Sequence, residues 1–382
     1  MQTKYQPLFT DLRLNNGVVL HNRIAMCPML IFAAQADGTP SAQDCAYFQL
    51  RNEFGQLLIT GATTIAPHIQ CAQQQMSLDT DAAIPAFRQL ATVMQAQGNK
   101  GIVQLQHPGR QASIGYAQSH QAYAPTALDF PFLDYPVQEL TNSQIEQIIQ
   151  AFGQATARAI AAGFSGVEIH GANHYLLQQF FSQYSNRRTD AWGGSLTKRM
   201  AFPLAVAQEV LRVARQLKPD FIVGYRLSPE EIHGANIGYT IDESLQLIEH
   251  LAQLDLDYLH TSIYSSATFR VPAYKAFALR GNRTKPMNAL IHDQIAGRSA
   301  LMVSGSIRTP AATLDGLNYG DLVALGVVAL SDPQFTNKIR TDHLDQINLN
   351  VHGREQDLQL PPALIQKYRA KAPLPPVLGL SK

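Results

Sequence analysis

The residues in this chain best suited to chemistry stand where short apolar runs end. His170, Asn173 and Tyr175 lie together in EIHGANHYLL, Gln104 lies in GIVQLQHPGR, and Arg226 lies in VGYRLSP. An imidazole and an amide can both donate to one substrate oxygen, while a nearby phenol can supply a proton. Because His170 and Asn173 are three residues apart at the start of a segment with helical spacing, we expect both side chains to converge on one oxygen. This pattern favours an enzyme over a binding or structural module.

Eight short apolar or β-branched runs alternate with segments of helical spacing. The runs are Arg23–Met26, Gln56–Thr60, Gly101–Leu105, Gly166–Ile169, Phe221–Tyr225, Asp257–Thr261, Ala300–Ser304 and Leu322–Leu325. The helical segments are Ile84–Gln97, Gln144–Ala162, Thr197–Leu217, Ile241–Leu254 and Met287–Ala296. Alternating strands and helices predict a parallel sheet buried on both faces. Eight such units predict an α/β fold that closes into a (β/α)₈ TIM barrel.

Long connections follow three of the predicted strands, at 106–142, 171–195 and 262–285. Loops at the carboxyl ends of barrel strands build the active site in such folds, so we expect the chemistry there. No linker divides the chain, which predicts a single domain over residues 1–382, with the barrel at about 20–345 and a C-terminal arm at about 346–382. Five prolines between 361 and 376 predict an extended arm.

Charge and composition exclude several partners. Lys and Arg total 30 against 29 Asp and Glu, so no electrostatic field favours nucleic acid or an anionic membrane. The start, MQTKYQPLFT, lacks a signal-peptide core, and no run approaches the ~20 apolar residues of a spanning helix. We therefore expect a cytoplasmic protein. Cys27, Cys45 and Cys71 show no metal-ligand or disulfide spacing and are expected to be buried free thiols.

The same segments carry a resemblance to a known family. In chain order they are RIAMCPM, LITGATTIAP, QLQHPGR, EIHGANHYLL with SNRRTDAWGGS, GYRLSPEE, and the glycine-bearing SGSI and ALGVVAL. Over nearly its whole length the chain resembles the Old Yellow Enzyme family of FMN-dependent ene-reductases. The resemblance implies that NADH or NADPH reduces FMN and that hydride passes from flavin N5 to the β-carbon of an activated alkene, such as an α,β-unsaturated carbonyl compound.

The resemblance also implies a flavin site made of residues from several strand ends. The implied cofactor-binding residues are Pro28, Met29, Leu30, Gly61, Gln104, Arg226, Gly305, Ser306, Gly326 and Val327. Gly61 is interpreted as small because the ring system passes close to it. Gln104 can donate to and accept from the pyrimidine edge. Arg226 would stabilise the negative charge that develops near N1 and O2, and Gly305, Ser306 and Gly326 would donate backbone N–H groups to the phosphate.

For catalysis, the resemblance implies that His170 and Asn173 hold the substrate carbonyl while Tyr175 delivers a proton to the α-carbon. Phe32 and Tyr264 are implied as further substrate contacts. No G-x-G-x-x-G motif follows a strand, so the nicotinamide nucleotide is expected to use the same face as the small-molecule alkene. The physiological substrate, the choice between NADH and NADPH, and a homo-oligomeric state stay open.

Some positions depart from the family pattern. Leu30 lacks the polar group that many members carry there, Phe32 lacks the tyrosine hydroxyl that some members carry, and Val327 replaces an arginine that usually holds the phosphate. Arg308 or Lys338 is a candidate replacement for that charge. His174 stands where the motif usually has glycine and is interpreted as a loop-packing residue.

Two further polar side chains are expected to have structural roles. His107 is expected to order its loop, and Glu168 to have a polar role inside the barrel.

The alternatives to an ene-reductase are a flavin-free barrel lyase or aldolase, and a flavin-binding sensory protein without turnover. A lyase would need a Schiff-base lysine or a metal cluster, and no predicted strand ends in such a lysine.

Overall fold

A closed barrel of parallel strands organises this chain, whose computed structural model describes residues 1–263, 272–372 and 374–380. The strands are β1 (Leu12–Arg13), β2 (Val19–Leu20), β3 (Ile24–Met26), β4 (Leu57–Ile59), β5 (Thr63–Thr64), β6 (Lys100–Gln106), β7 (Tyr123–Ala124), β8 (Gln138–Glu139), β9 (Gly166–Gly171), β10 (Ile222–Leu227), β11 (Glu231–His233), β12 (Asn236–Tyr239), β13 (Tyr258–Thr261), β14 (Ala300–Ser304) and β15 (Leu322–Leu325). Around the barrel the order is β3, β4, β6, β9, β10, β13, β14 and β15, and β15 pairs with β3 to close the ring. This confirms the predicted TIM barrel.

Helices between the strands form the outer layer. They are α1 (Ala42–Gln49), α2 (Ile84–Met94), α3 (Ser113–Ser119), α4 (Asn142–Ala161), α5 (Leu176–Phe181), α6 (Leu196–Leu217), α7 (Ile241–Ala252), α8 (Met287–Ile295), α9 (Pro310–Gly316), α10 (Val327–Ser331), α11 (Phe335–Arg340) and α12 (Pro362–Arg369). Short 3₁₀ helices lie at Thr3–Phe9, Asp81–Ala83, Gly109–Gln111, Ala273–Lys275 and Leu344–Gln346. No helix of the described ranges is long and apolar enough to cross a membrane.

The inside of the barrel is a small apolar core that is closed at one end. Ile59, Ile102 and Met302 are fully buried there, and the β1–β2 hairpin adds Leu14 and Leu20 to the same cluster. The hairpin is fastened where the barrel strands begin, because the Asn16 backbone N–H donates to Asp257 Oδ1 just before β13 (2.9 Å). The open end is therefore the carboxyl end of the strands, where barrel enzymes carry their active sites.

The predicted strands and helices are confirmed, with bounds that differ by one to three residues at most ends. The prediction of an extended C-terminal arm is wrong at 362–369, which forms α12. Prolines 361 and 362 occupy the N-cap and first position of this helix, where a missing N–H costs nothing. The two prolines therefore mark the start of a helix, not the end of regular structure.

Arg51 links three parts of the fold although it is completely buried. Its guanidinium lies 3.6 Å from the centroid of the Tyr47 ring. It donates to the backbone carbonyls of Tyr47 in α1 (2.7 Å), Ala329 (2.9 Å) and Leu330 (3.1 Å) in α10, and Leu358 in the tail (2.9 Å). The charge is thus satisfied by four carbonyl oxygens.

We expect Arg51→Met to lower the free energy of unfolding by about 3–5 kcal/mol, because it leaves buried carbonyls without donors. Urea unfolding followed by circular dichroism measures this loss. Arg212→Met is the matched control, since Arg212 is exposed and pairs with Glu209 within one helix (2.7 Å), and it should leave stability nearly unchanged. Equal stability of the two variants would contradict the linking role of Arg51.

Candidate active site

The predicted polar residues meet at the open end of the barrel because neighbouring strands hold them in register. His170 of β9 lies opposite Arg226 of β10, which in turn lies opposite His260 of β13. On the other side of β9, Gln104 of β6 lies opposite Glu168. Residues in register on parallel strands point to the same face, so these five side chains share the barrel interior near its mouth.

His170 is held as a neutral imidazole. Its Nδ1 accepts from the backbone N–H of Ala172 (3.3 Å), which leaves the proton on Nε2. Burial, with the positive charges of Arg226 and His260, lowers the pKa of His170 well below its ordinary value. The ring is therefore a neutral donor at physiological pH.

Asn173 reaches the site from a turn, which corrects the expectation of a shared helix. His170 lies near the end of strand β9, Asn173 has a left-handed backbone (φ 57°), and α5 begins only at Leu176. The Asn173 Oδ1 accepts from the Ser262 hydroxyl (2.8 Å). Because the amide oxygen is engaged, the amide nitrogen is the end left to donate to a ligand.

Tyr175 lies beside His170, with ring centroids 5.0 Å apart and the planes nearly perpendicular. Its hydroxyl is 3.8 Å from the Cys71 thiol, and Cys71 Sγ is also 3.8 Å from Gln106 Oε1. Burial and the adjacent Cys71 raise the pKa of Tyr175 well above its ordinary value. The phenol therefore stays protonated and can act only as a donor of its proton to a strong base.

Arg226 has no carboxylate partner in the described part of the chain. The residue is 8% exposed, its Nε is buried without a hydrogen-bond partner, and its Nη2 lies 3.8 Å from Cys27 Sγ. A barrel-mouth ion pair would have explained the residue without a ligand, and the structure contains none in the described ranges. A buried guanidinium without an anion fits a ligand that brings negative charge, as a reduced flavin does.

Glu168, which lies deeper in the barrel, forms a fully buried ion pair with His260 that the sequence did not predict. His260 Nδ1 is 2.8 Å from Glu168 Oε2, and Gln104 Nε2 donates to Glu168 Oε1 (2.7 Å). Burial alone would raise the pKa of Glu168, but the neighbouring His260 outweighs it and the net pKa is lowered. Burial likewise opposes protonation of His260, but Glu168 raises its pKa, so both groups are held charged.

The residues after β3 and β4 come together beside the end of β15. A Cβ atom on Gly61 would lie 2.5 Å from the Met29 carbonyl oxygen and 3.1 Å from Leu30 Cα. The close approach of the 29–30 backbone is a sufficient reason for glycine at 61, and the passage of the ring system beside it stays a prediction. A Cβ on Gly326 would lie 3.1 Å from Met29 Sδ, so Met29 lies between Gly61 and Gly326 on this rim, with Pro28 and Leu30 as its neighbours in the chain.

The predicted phosphate residues follow the last two barrel strands. Gly305 and Ser306 come directly after β14 with positive φ angles of 110° and 59°, and Gly326 precedes α10, which begins at Val327. Lys338 already forms an ion pair, because its Nζ lies 2.7 Å from the buried Asp332 carboxylate. Arg308 donates to the Pro376 carbonyl in the tail (2.8 Å). Neither side chain is shown to replace the missing arginine.

Two further residues, Phe32 and Tyr264, are predicted substrate contacts. Phe32 is 7% exposed, has φ 55°, and carries Lys367 Nζ of α12 at 5.3 Å from its ring centroid. Its substrate role stays a prediction. Tyr264 lies outside the described residues.

The loop-packing interpretation of His174 fits its contacts. His174 has φ 62°, a conformation that favours glycine, and is held there by Gln178, which accepts from its backbone N–H and contacts its Nδ1 (both 2.9 Å). Of the cysteines, Cys27 is buried, whereas Cys45 and Cys71 are only half-buried.

Sequence reasoning missed His260, Gln106 and Cys71. Gln106 could have been found, because it lies two residues beyond Gln104 and period-two alternation places both on one face of β6. His260 in a buried apolar strand also signals a partner, and Glu168 in β9 is the complementary signal. No local pattern marks Cys71, whose place beside Tyr175 depends on the path of the 60–75 loop.

Comparison with known proteins decides the family. The model of the NADH:flavin oxidoreductase / NADH oxidase family matches residues 7–346. The chain belongs to this family. The Old Yellow Enzyme resemblance is confirmed, and this NADH:flavin oxidoreductase is an enzyme that uses FMN with a nicotinamide nucleotide as reductant. The flavin-free lyase and the sensory protein are thereby removed as alternatives.

Relatives of this NADH:flavin oxidoreductase cover it almost completely. YqiG of Bacillus subtilis, a probable NADH-dependent flavin oxidoreductase, is 37% identical over 360 residues, 94% of each chain. An NADH:acrylate oxidoreductase of Vibrio harveyi is 35% identical over 361 residues, which are 94% of this chain and 35% of that longer protein. The old yellow enzyme homologue from Zymomonas mobilis shares the fold, with TM-score 0.73, 21% identity, and coverage of 88% of this chain and 92% of that one.

His107, directly after β6, gives a pH test of this site's architecture. Its Nδ1 accepts from the Gly109 N–H (3.1 Å), as expected for a loop-ordering residue, and burial lowers its pKa from 6.5 to about 3. Between these values the unfolded chain binds a proton that the folded chain does not, so stability falls as pH falls.

We expect His107→Asn, which keeps an acceptor near the Nδ1 position but does not titrate, to lose stability less steeply below pH 6.5 than the wild type. Urea unfolding at a series of pH values measures both slopes. Parallel slopes would show that His107 is not buried as a neutral ring.

Proposed function

We propose that this enzyme is an NADH-dependent ene-reductase for α,β-unsaturated carbonyl compounds and related activated alkenes. The observation that carries the proposal is the neutral donor His170 Nε2 beside a protonated Tyr175, with the oriented amide of Asn173 in the turn that follows β9. Bound FMN would accept hydride from the nicotinamide and pass it to the alkene β-carbon. The site residues supply everything else.

His170 and Asn173 would bind the substrate carbonyl oxygen. Because His170 is neutral and Asn173 is oriented by Ser262, both groups donate without a change of protonation. Donors fixed before the reaction stabilise the oxyanion as negative charge develops on it, and each is typically worth about 3–4 kcal/mol when removed. They would also fix which carbon of the alkene faces the flavin.

Tyr175 would protonate the α-carbon. Its raised pKa makes it a poor acid toward water but a suitable one toward the strongly basic carbanion that develops beside it. Cys71 and Gln106 would hold the hydroxyl in place. The carbonyl donors and the phenol would thus act on different atoms of the same conjugated system, the carbonyl oxygen and the α-carbon.

Arg226, Gln104 and the rim formed by Pro28, Met29 and Leu30 would hold the flavin ring, and the turns at 305–306 and 326–327 its phosphate. The relative named NADH:acrylate oxidoreductase, of which this chain matches 35%, makes acrylate one of the electron-poor alkenes to test. We further propose that residues 1–382 act as one FMN-binding domain in the cytoplasm.

The test is Tyr175→Phe studied by stopped-flow absorbance, with the two half-reactions measured separately. Flavin reduction by NADH should be nearly unchanged, whereas reoxidation by a panel of enals, enones and acrylate should slow by about 10²–10⁴-fold. The alkene that reoxidises the wild type fastest identifies the substrate class.

Tyr123→Phe is the matched control, since Tyr123 begins β7 and its hydroxyl bonds only Gln121 (3.1 Å) among the described residues. It should leave both half-reactions intact. Equal loss of both half-reactions in Tyr175→Phe would contradict the proton-donor role, and a wild type that no alkene reoxidises would contradict the ene-reductase proposal.

A further inference from the structure

The buried Glu168–His260 pair has no task in the reaction described above. Both side chains are 0% exposed, inside a barrel whose other interior residues are mostly apolar. Burying two charges costs several kcal/mol per ion, and well-packed apolar residues often give equal or greater stability, so stability is a weak reason for this pair. Titratable pairs that are buried beside a functional site are candidates for a role in that site.

The contact between Glu168 and Gln104 sets the orientation of the Gln104 side-chain amide. An ionised carboxylate can only accept, so the end of the Gln104 amide that faces Glu168 Oε1 at 2.7 Å must be the NH₂ group. In the described ranges no residue donates to Gln104 Oε1. The amide oxygen is therefore the end left for a ligand.

His260 keeps Glu168 in the form that this orientation requires. Its Nδ1 lies 2.8 Å from Glu168 Oε2, so the second carboxylate oxygen is also satisfied and Glu168 stays ionised. A protonated Glu168 could donate as well as accept, and the Gln104 amide could then turn over. The chain of contacts thus runs from His260 through Glu168 to Gln104.

We propose that Glu168 and His260 are positioning residues that fix the Gln104 amide with its oxygen toward the flavin. The pyrimidine edge of oxidised FMN carries one N–H donor, N3–H, between two carbonyl acceptors. A fixed amide oxygen matches that donor, and the second Gln104 hydrogen can reach an adjacent carbonyl. This inference rests on the proposed role of Gln104 in holding FMN.

A double-mutant cycle on FMN affinity tests the inference. The variants are Gln104→Ala, Glu168→Leu and the double variant, and the readout is the FMN dissociation constant measured by equilibrium ultrafiltration of the holoenzyme. Each single change should weaken FMN binding by roughly 3- to 10-fold, the size of one hydrogen bond. The double variant should bind FMN no more weakly than Gln104→Ala, because Glu168 acts through Gln104.

Two controls separate positioning from general damage. Met302→Leu changes a buried apolar neighbour in register with His260 and should stay within about twofold of the wild type. His260→Leu should match Glu168→Leu, because it removes both the donor and the positive charge that keep Glu168 ionised. If thermal melting shows that Glu168→Leu does not fold, His260→Leu takes its place in the cycle.

The outcomes are distinguishable. Effects of Gln104→Ala and Glu168→Leu that multiply, or a Glu168→Leu variant with wild-type affinity, overturn the positioning role alone. Wild-type affinity of Gln104→Ala overturns the assignment of Gln104 to the flavin site, and the inference with it. Loss of alkene reduction in Tyr175→Phe is independent of both.

Discussion

A buried positive charge that no carboxylate pairs with directly, among the residues that the structure describes, is the constraint around which this site is built. Arg226 is almost fully buried in register with His170 and His260, so three nitrogen-bearing side chains of neighbouring strands crowd one layer of the barrel mouth. Desolvated charges are expensive unless paired. Glu168 offsets part of the charge from one layer deeper, and it keeps His260 rather than Arg226 as its close partner. The mouth is therefore prepared for an electron-rich ligand, and in this family that ligand is FMN.

Each functional side chain of this site is oriented by a hydrogen bond to the atom that does not face the ligand. The Ala172 N–H sets the tautomer of His170, the Ser262 hydroxyl engages the oxygen of Asn173, and Glu168 engages the nitrogen of Gln104. Amides and imidazoles can each donate or accept, so their chemistry is ambiguous until a partner of one kind fixes it. Such support lets a site bind and polarise ligands without reorganising during the reaction.

Much of the fold followed from the sequence because the barrel strands are short, continuous apolar runs separated by helical periodicity. The strand ends also marked His170, Asn173, Tyr175 and Arg226, since a polar residue at the end of a buried strand rarely serves packing alone. The helix at 362–369 was missed because two adjacent prolines indicate either a break or a helix start, and packing on the core decides between them. The support of Asn173 by Ser262 joins residues 89 apart in sequence, and no local pattern records such a contact.

A crystal structure of the oxidised holoenzyme with FMN bound tests the role of the unpaired Arg226 charge most directly. We predict that the isoalloxazine lies across the barrel mouth, with the Arg226 guanidinium in hydrogen-bond distance of its N1 and O2 edge and His170 and Asn173 on its open face. An isoalloxazine bound away from Arg226, or an Arg226 side chain turned to a carboxylate of the protein, would contradict that role.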